Sequence, residues 1–121
     1  MLILKIIFAV FFIYAGIIHF IKPSFFKHFI PNGLPKLTIN YMVGIIEFSL
    51  GIGLFFPQAV SYTAYGILIL LILFLPIHVW DATKERPAIG SKIFAYIRIP
   101  LQFLLMYGAY LIYQDSLLII L

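Results

Sequence analysis

The chain has 121 residues, of which 64% are hydrophobic and only 10% are charged, and its formal net charge is +4. A mean hydropathy of +1.16 excludes a soluble globular domain and indicates an integral membrane protein. The chain contains no cysteine, so it can supply neither disulfides nor cysteine-ligated metal centres.

Four long apolar segments follow one another along the chain, each long enough for about one helical crossing of a bilayer. The predicted helices cover about residues 2–21, 37–56, 59–80 and 93–113. Residues 114–116 break the pattern, and residues 117–121 are expected to lie at the interface or to pack on a neighbour. The sequence therefore predicts an all-α fold, a transmembrane four-helix bundle that forms one domain over residues 1–121.

The connection between the first two helices predicts a short interfacial helix. Four apolar residues would share one face of it: Phe25, Phe26, Phe29 and Ile30. Pro23 suits its first turn, and residues 31–35 supply the turn chemistry that ends it. The link between helices two and three, residues 57–61, is much shorter and predicts a tight antiparallel hairpin.

The distribution of basic residues predicts the orientation in the membrane. Six of them fall in the first and third links: Lys22, Lys27, Lys36, Lys84, Arg86 and Lys92. The opposite face carries only Lys5 and the terminal amine. Both termini are therefore expected on the non-cytoplasmic side of a multi-pass protein, with the bacterial inner membrane as the expected location.

A small set of ionisable residues interrupts the apolar segments at membrane depth: His19, Glu47, His78 and Arg98. Such a group costs roughly 2.5–3.5 kcal/mol on insertion scales, so it usually faces a bundle interior or a cavity. The predicted topology brings these residues toward the end with the basic links, and Gln102 lies one turn after Arg98. We expect the five residues to form a buried polar cluster or ligand-binding pocket in which Arg98 reaches toward Glu47.

The same residues also have structural interpretations. Glu47 and Arg98 could form an ion pair that only fixes helix register. His19 and His78 lie at matching depth and could bind haem axially, but interfacial anchoring explains them more simply, so haem is disfavoured. The sequence shows no metal-ligand spacing, nucleotide fingerprint or hydrolase triad. The positive charge is explained by topology and anionic lipid rather than by nucleic-acid binding.

Several short strings, taken together in their order and spacing, resemble DoxX-like membrane proteins. They are Ala15-Gly16-Ile17-Ile18-His19-Phe20, Gly44-Ile45-Ile46-Glu47, Leu75-Pro76-Ile77-His78 and Arg98-Ile99-Pro100-Leu101-Gln102. The resemblance spans nearly the whole chain and implies a small four-helix membrane protein with the five polar residues at typical positions. That family name is linked with a subunit of a thiosulfate:quinone oxidoreductase, and more distant relatives look like assembly factors, so the resemblance implies no single activity.

Three functions follow as hypotheses. The first is a non-catalytic subunit or assembly factor of a membrane complex, such as a redox complex, whose loops dock a membrane or cytoplasmic protein. The second is an oxidoreductase subunit that binds a quinone or another amphipathic ligand, with His19 or His78 donating a hydrogen bond and Glu47 handling a proton. The third is a small transporter. No cofactor motif is evident, the isolated chain is not expected to be an enzyme, and homo-oligomerisation stays open.

Overall fold

The computed structural model describes the backbone of residues 1–120 and the side chains of residues 1–118. Its α-helices are α1 (Leu2–Ile21), α2 (Lys36–Gly53), α3 (Val60–Ala82) and α4 (Lys92–Ile120). Residues 1–120 contain no strand, which confirms the all-α prediction for this part of the chain. Helices α1, α3 and α4 are long and apolar enough to cross a membrane, whereas α2 is not among these candidate spans.

The predicted bounds of the first helix, residues 2–21, agree with α1. The largest difference between predicted and observed bounds is at the end of α4. Helix α4 continues through residues 114–116, so the predicted break there is wrong. The Ser116 hydroxyl donates to the Tyr113 carbonyl at 2.6 Å, which satisfies this polar group within the helix. The separate terminal segment is therefore also wrong for residues 117–120, and Leu121 lies outside the described residues.

The connection between α1 and α2 contains two short 3-10 helices, Pro23–Phe25 and Lys27–Phe29, rather than one α-helix. So short a segment gains few hydrogen bonds for the conformational entropy it loses, and isolated 3-10 turns are a common outcome. The predicted apolar face is split as a result. Phe25 is 57% exposed, whereas Ile30 is buried.

The helices pack chiefly as two pairs, α1 with α2 and α3 with α4. Glycines bring the first pair close together. A Cβ atom on Gly16 would lie 2.7 Å from the Phe48 backbone nitrogen, and one on Gly44 would lie 2.7 Å from His19 Cβ. Helices α2 and α3 make only limited contact despite their short link, so the predicted tight hairpin is wrong.

The buried apolar core lies at the end of the molecule that carries the α2–α3 link. It contains Phe8, Ala9, Phe12, Leu54, Val60, Ala64, Ile67, Leu70, Leu71, Ala109 and Ile112. Large apolar side chains also cover the outside, for example Ile3 at 75% and Leu104 at 63% exposure. Exposed apolar surface on this scale fits contact with lipid rather than with water.

Candidate functional site

A cavity of about 290 Å³ lies between the two helix pairs, at the end of the molecule opposite the α2–α3 link. It is lined by Phe11, Phe12, Ala15, His19, Phe26, Phe29, Ile30, Ile39, Asn40, Val43, Glu47, Leu71, Phe74, Ile77, His78, Ile89 and Arg98. All four α-helices contribute to this wall. The structure thus brings together His19, Glu47, His78 and Arg98, four of the five residues that the sequence singled out.

His19 is held from two sides by Asn40 of α2. The His19 Nδ1 atom lies 2.6 Å from Asn40 Oδ1, and Asn40 Nδ2 donates to the His19 carbonyl oxygen at 2.7 Å. Both residues are buried, with exposures of 5% and 2%. Phe26 stacks on the imidazole, with the ring centroids 3.7 Å apart. The ring is therefore fixed in position and in plane before any ligand enters.

Glu47 pairs with His19 rather than with Arg98. Its Oε2 atom lies 3.4 Å from His19 Nε2, and no Glu47–Arg98 ion pair occurs among the described side chains, so the expected contact is wrong. The close approach at Gly44, one turn before Glu47, explains this choice because it carries the carboxylate toward α1. Glu47 Oε2 nevertheless accepts no hydrogen bond within the described residues.

Arg98 and His78 reach the cavity from the α3–α4 pair. Arg98 is half-buried, and its Nη1 atom is buried without a hydrogen-bond partner among the described residues. The His78 ring meets Phe29 edge-on, at 5.9 Å between centroids. The cavity thus carries a free cationic donor on the side contributed by α3 and α4.

Gln102 does not line the cavity. It is fully buried within the α3–α4 pair, where its Nε2 atom donates to the Leu71 carbonyl at 2.6 Å. Its Oε1 atom has no hydrogen-bond partner among the described residues. Leu71 of α3 lines the cavity, so Gln102 is connected to the site only indirectly, through its hydrogen bond to the Leu71 carbonyl.

The α1–α2 link (residues 22–35) and the α3–α4 link (residues 83–91) lie together over the cavity, and we call them the loop cover. Asp81 and Lys84 hold this cover in place. The Asp81 carboxylate accepts from the backbone N–H of Ala88 at 2.7 Å and of Ile89 at 3.3 Å. Lys84 Nζ lies 3.3 Å from Asp81 Oδ1 and donates to the His28 carbonyl at 2.6 Å. The same ammonium sits 3.8 Å above the Trp80 ring. These contacts position Ile89 and the Phe26–Ile30 turns along the cavity.

The sequence interpretation missed Asn40 and Asp81. Asn40 precedes Glu47 by seven residues, which is two helical turns, so both lie on one face of α2. The signal available in the sequence was an asparagine two turns before a glutamate in an apolar segment, which places both side chains on one face. Asp81 is only 1% exposed although it ends an apolar helix beside a basic loop, and nothing in the linear pattern shows the two amides that bind it.

These features define a helical, membrane-compatible protein with a mostly apolar cavity and a few convergent polar groups. Residues 8–113 match the model of a protein family described as a domain of unknown function, DUF8561. The match covers most of the chain, and the chain belongs to this family. Searches of curated proteins and of solved structures give no match.

Proposed function

We propose that this chain is an integral membrane protein of four crossings that binds an amphipathic small molecule in the cavity. In this proposal α2 is the fourth crossing, and its buried polar residues Asn40 and Glu47 are tolerated because they face the cavity rather than lipid. The cavity end faces the cytoplasm in this proposal, and the six basic residues of the first and third links support that orientation. The resemblance to DoxX-like proteins supports the same small four-helix architecture.

The observation that carries this proposal is a pair of unpartnered polar atoms in an apolar enclosure. Glu47 Oε2 and Arg98 Nη1 are both buried without hydrogen bonds to the described residues, and both side chains line the cavity. Leaving a buried polar group unpaired costs about 1–3 kcal/mol, and more when the group is charged. A ligand oxygen that accepts from Arg98 Nη1 would remove that cost for the charged donor, while the apolar body of the ligand lies along the phenylalanines.

The size and composition of the cavity agree with this function. Its volume of about 290 Å³ lies just below the range of about 300–1,000 Å³ for ligand pockets, so it suits a small ligand. Quinones and amphipathic acids both combine a polar end with an apolar body. The quinone-binding hypothesis is therefore one form of this proposal, although the chain itself offers no evident electron-carrying centre.

A role as a membrane subunit or assembly factor is a second proposal, and the exposed charges of the two covering loops support it. Lys27, Glu85 and Arg86 point to solvent from loops that Lys84 ties together. Such a surface suits a protein partner at the membrane face. Ligand binding stands first because unpaired polar atoms inside the cavity call for an occupant, whereas exposed surface charges do not.

Native mass spectrometry of the gently released protein tests the proposed function. The wild type should carry a stoichiometric small molecule, and Val43→Trp, which fills the cavity, should lose it. Met42→Trp is the matched control, because Met42 is the exposed neighbour on the same helix. Bare wild-type protein, or an extra mass that Val43→Trp retains, would contradict ligand binding. A copurifying polypeptide in its place would favour the subunit role.

A further inference from the structure

The contacts of Asn40 determine which nitrogen of His19 carries a hydrogen. A carbonyl oxygen only accepts hydrogen bonds, so the Asn40 nitrogen must face the His19 carbonyl, as it does at 2.7 Å. The Asn40 oxygen therefore faces His19 Nδ1 at 2.6 Å. Because that oxygen also only accepts, Nδ1 must be protonated. In a neutral His19, Nε2 is then a bare acceptor.

This tautomer requires a proton between His19 and Glu47. The bare Nε2 lone pair of a neutral His19 would face Glu47 Oε2 at 3.4 Å in a buried site. Two acceptors with no hydrogen between them repel each other, and low local polarity strengthens the repulsion. One proton between the two atoms removes this repulsion. The pair is then either an imidazolium with a carboxylate or an imidazole with a carboxylic acid. In both forms His19 and Glu47 together carry no net charge.

Counting charges around the cavity then leaves Arg98 without a counter-charge. Glu47 is the acidic residue that lines the cavity, and its charge is already cancelled within the pair with His19. Asp81 is occupied by two backbone amides and Lys84. His78 faces the same space from α3 and adds no negative charge in either protonation state. The described cavity therefore has an excess of one positive charge, which is costly at membrane depth.

We infer that the cavity binds an amphipathic anion, specifically a carboxylate attached to an apolar body. The carboxylate accepts a hydrogen bond from Arg98 Nη1, and it supplies the missing negative charge. Charge-assisted bonds of arginine to carboxylate are among the strongest in proteins. The apolar body packs against Phe11, Phe12 and Phe74. This inference rests on the proposed function and names the ligand class of the same site.

The test compares octanoate with 1-octanol, which has the same chain length and no charge. Binding to the full chain in phosphatidylcholine nanodiscs is measured by calorimetry, with empty discs subtracted. Octanoate should bind at least about tenfold more tightly than octanol. Arg98→Gln should weaken octanoate binding by about ten- to a hundredfold while octanol affinity stays within about threefold. Arg86→Gln, at an exposed loop position, should change neither affinity.

Equal or tighter binding of octanol, or octanoate binding that survives Arg98→Gln, would overturn the anion inference and leave the proposed function standing. Failure of both probes to bind, together with bare wild-type protein in the mass measurement, would overturn both. Repeating the titration in phosphatidylglycerol discs separates two sources of the anion. A loss of octanoate affinity there that Arg98→Gln does not show would mean that a lipid phosphate occupies the site, and it would overturn the carboxylate as the ligand class, whereas unchanged affinity supports a free carboxylate.

Discussion

The two ends of the molecule are built from the same four helices but are stabilised in different ways. At the end with the α2–α3 link, side chains such as Phe8, Ile67 and Ile112 fill the space between the helix pairs, and Ile67 is fully buried. At the other end the pairs enclose a cavity, and hydrogen bonds and ion pairs from Asn40 and Asp81 maintain the structure. Close packing holds the first end, whereas polar contacts hold the second around an open space.

This difference indicates how the protein separates stability from function. A well-packed end has no room for a ligand and loses stability whenever atoms are removed. An end held by a few directional bonds can keep a cavity open while fixing the groups that line it. Substitutions at the two ends should therefore differ in magnitude and in what they change.

The largest loss of stability is expected for Ile67→Ala in the packed core. Removing a fully buried branched side chain leaves a void and costs about 2–5 kcal/mol. Ile72→Ala is the control on the same helix, because Ile72 faces outward and is 46% exposed. Reversible unfolding in mixed micelles measures both variants. Similar losses for the two would show that the packed end does not carry the stability.

A smaller loss is expected for Asn40→Ala at the cavity end. The variant removes two hydrogen bonds to His19, and bonds between helices in membranes average about 0.6 kcal/mol, so the expected cost is about 1–2 kcal/mol. Unlike Ile67→Ala, it should also free the imidazole, which would shift and broaden the ring-nitrogen resonances of His19. Asn32→Ala, in the exposed turn, is the control. Unchanged ring-nitrogen resonances would contradict the role given to Asn40.

The smallest effect on stability is expected for Lys84→Met in the loop cover. Partly exposed ion pairs contribute at most about 1 kcal/mol, so the unfolding midpoint should move little. Loss of the bond to the His28 carbonyl should instead speed amide hydrogen exchange in residues 27–30 and 83–90. Lys92→Met, an exposed lysine at the start of α4, should leave exchange in these loops unchanged. Equal exchange in both variants would show that Lys84 does not fasten the cover.

Parts of the candidate site could be predicted because insertion energy restricts where charges occur. His19, Glu47, His78 and Arg98 stood out as ionisable residues in apolar segments, and all four line the cavity. Their pairing could not be predicted in the same way. Glu47 was expected to reach Arg98, but the glycine contact between α1 and α2 carries it to His19 instead. Which partner Glu47 meets depends on how α2 is rotated against α1 and α4, and hydropathy does not encode that rotation.

The sequence by itself determined the helical class, the extent of α1 and the polar residues that need a partner or an enclosure. It determined these because hydropathy and helix length are local quantities with large energetic consequences in a membrane. Only the tertiary structure decided that α2 and α3 make little contact and that Asn40 fixes His19. It also decided that Gln102 lies behind the cavity wall while Arg98 keeps a free donor within it. These features depend on side-chain packing between segments far apart in the chain, where small differences in helix rotation choose the partner.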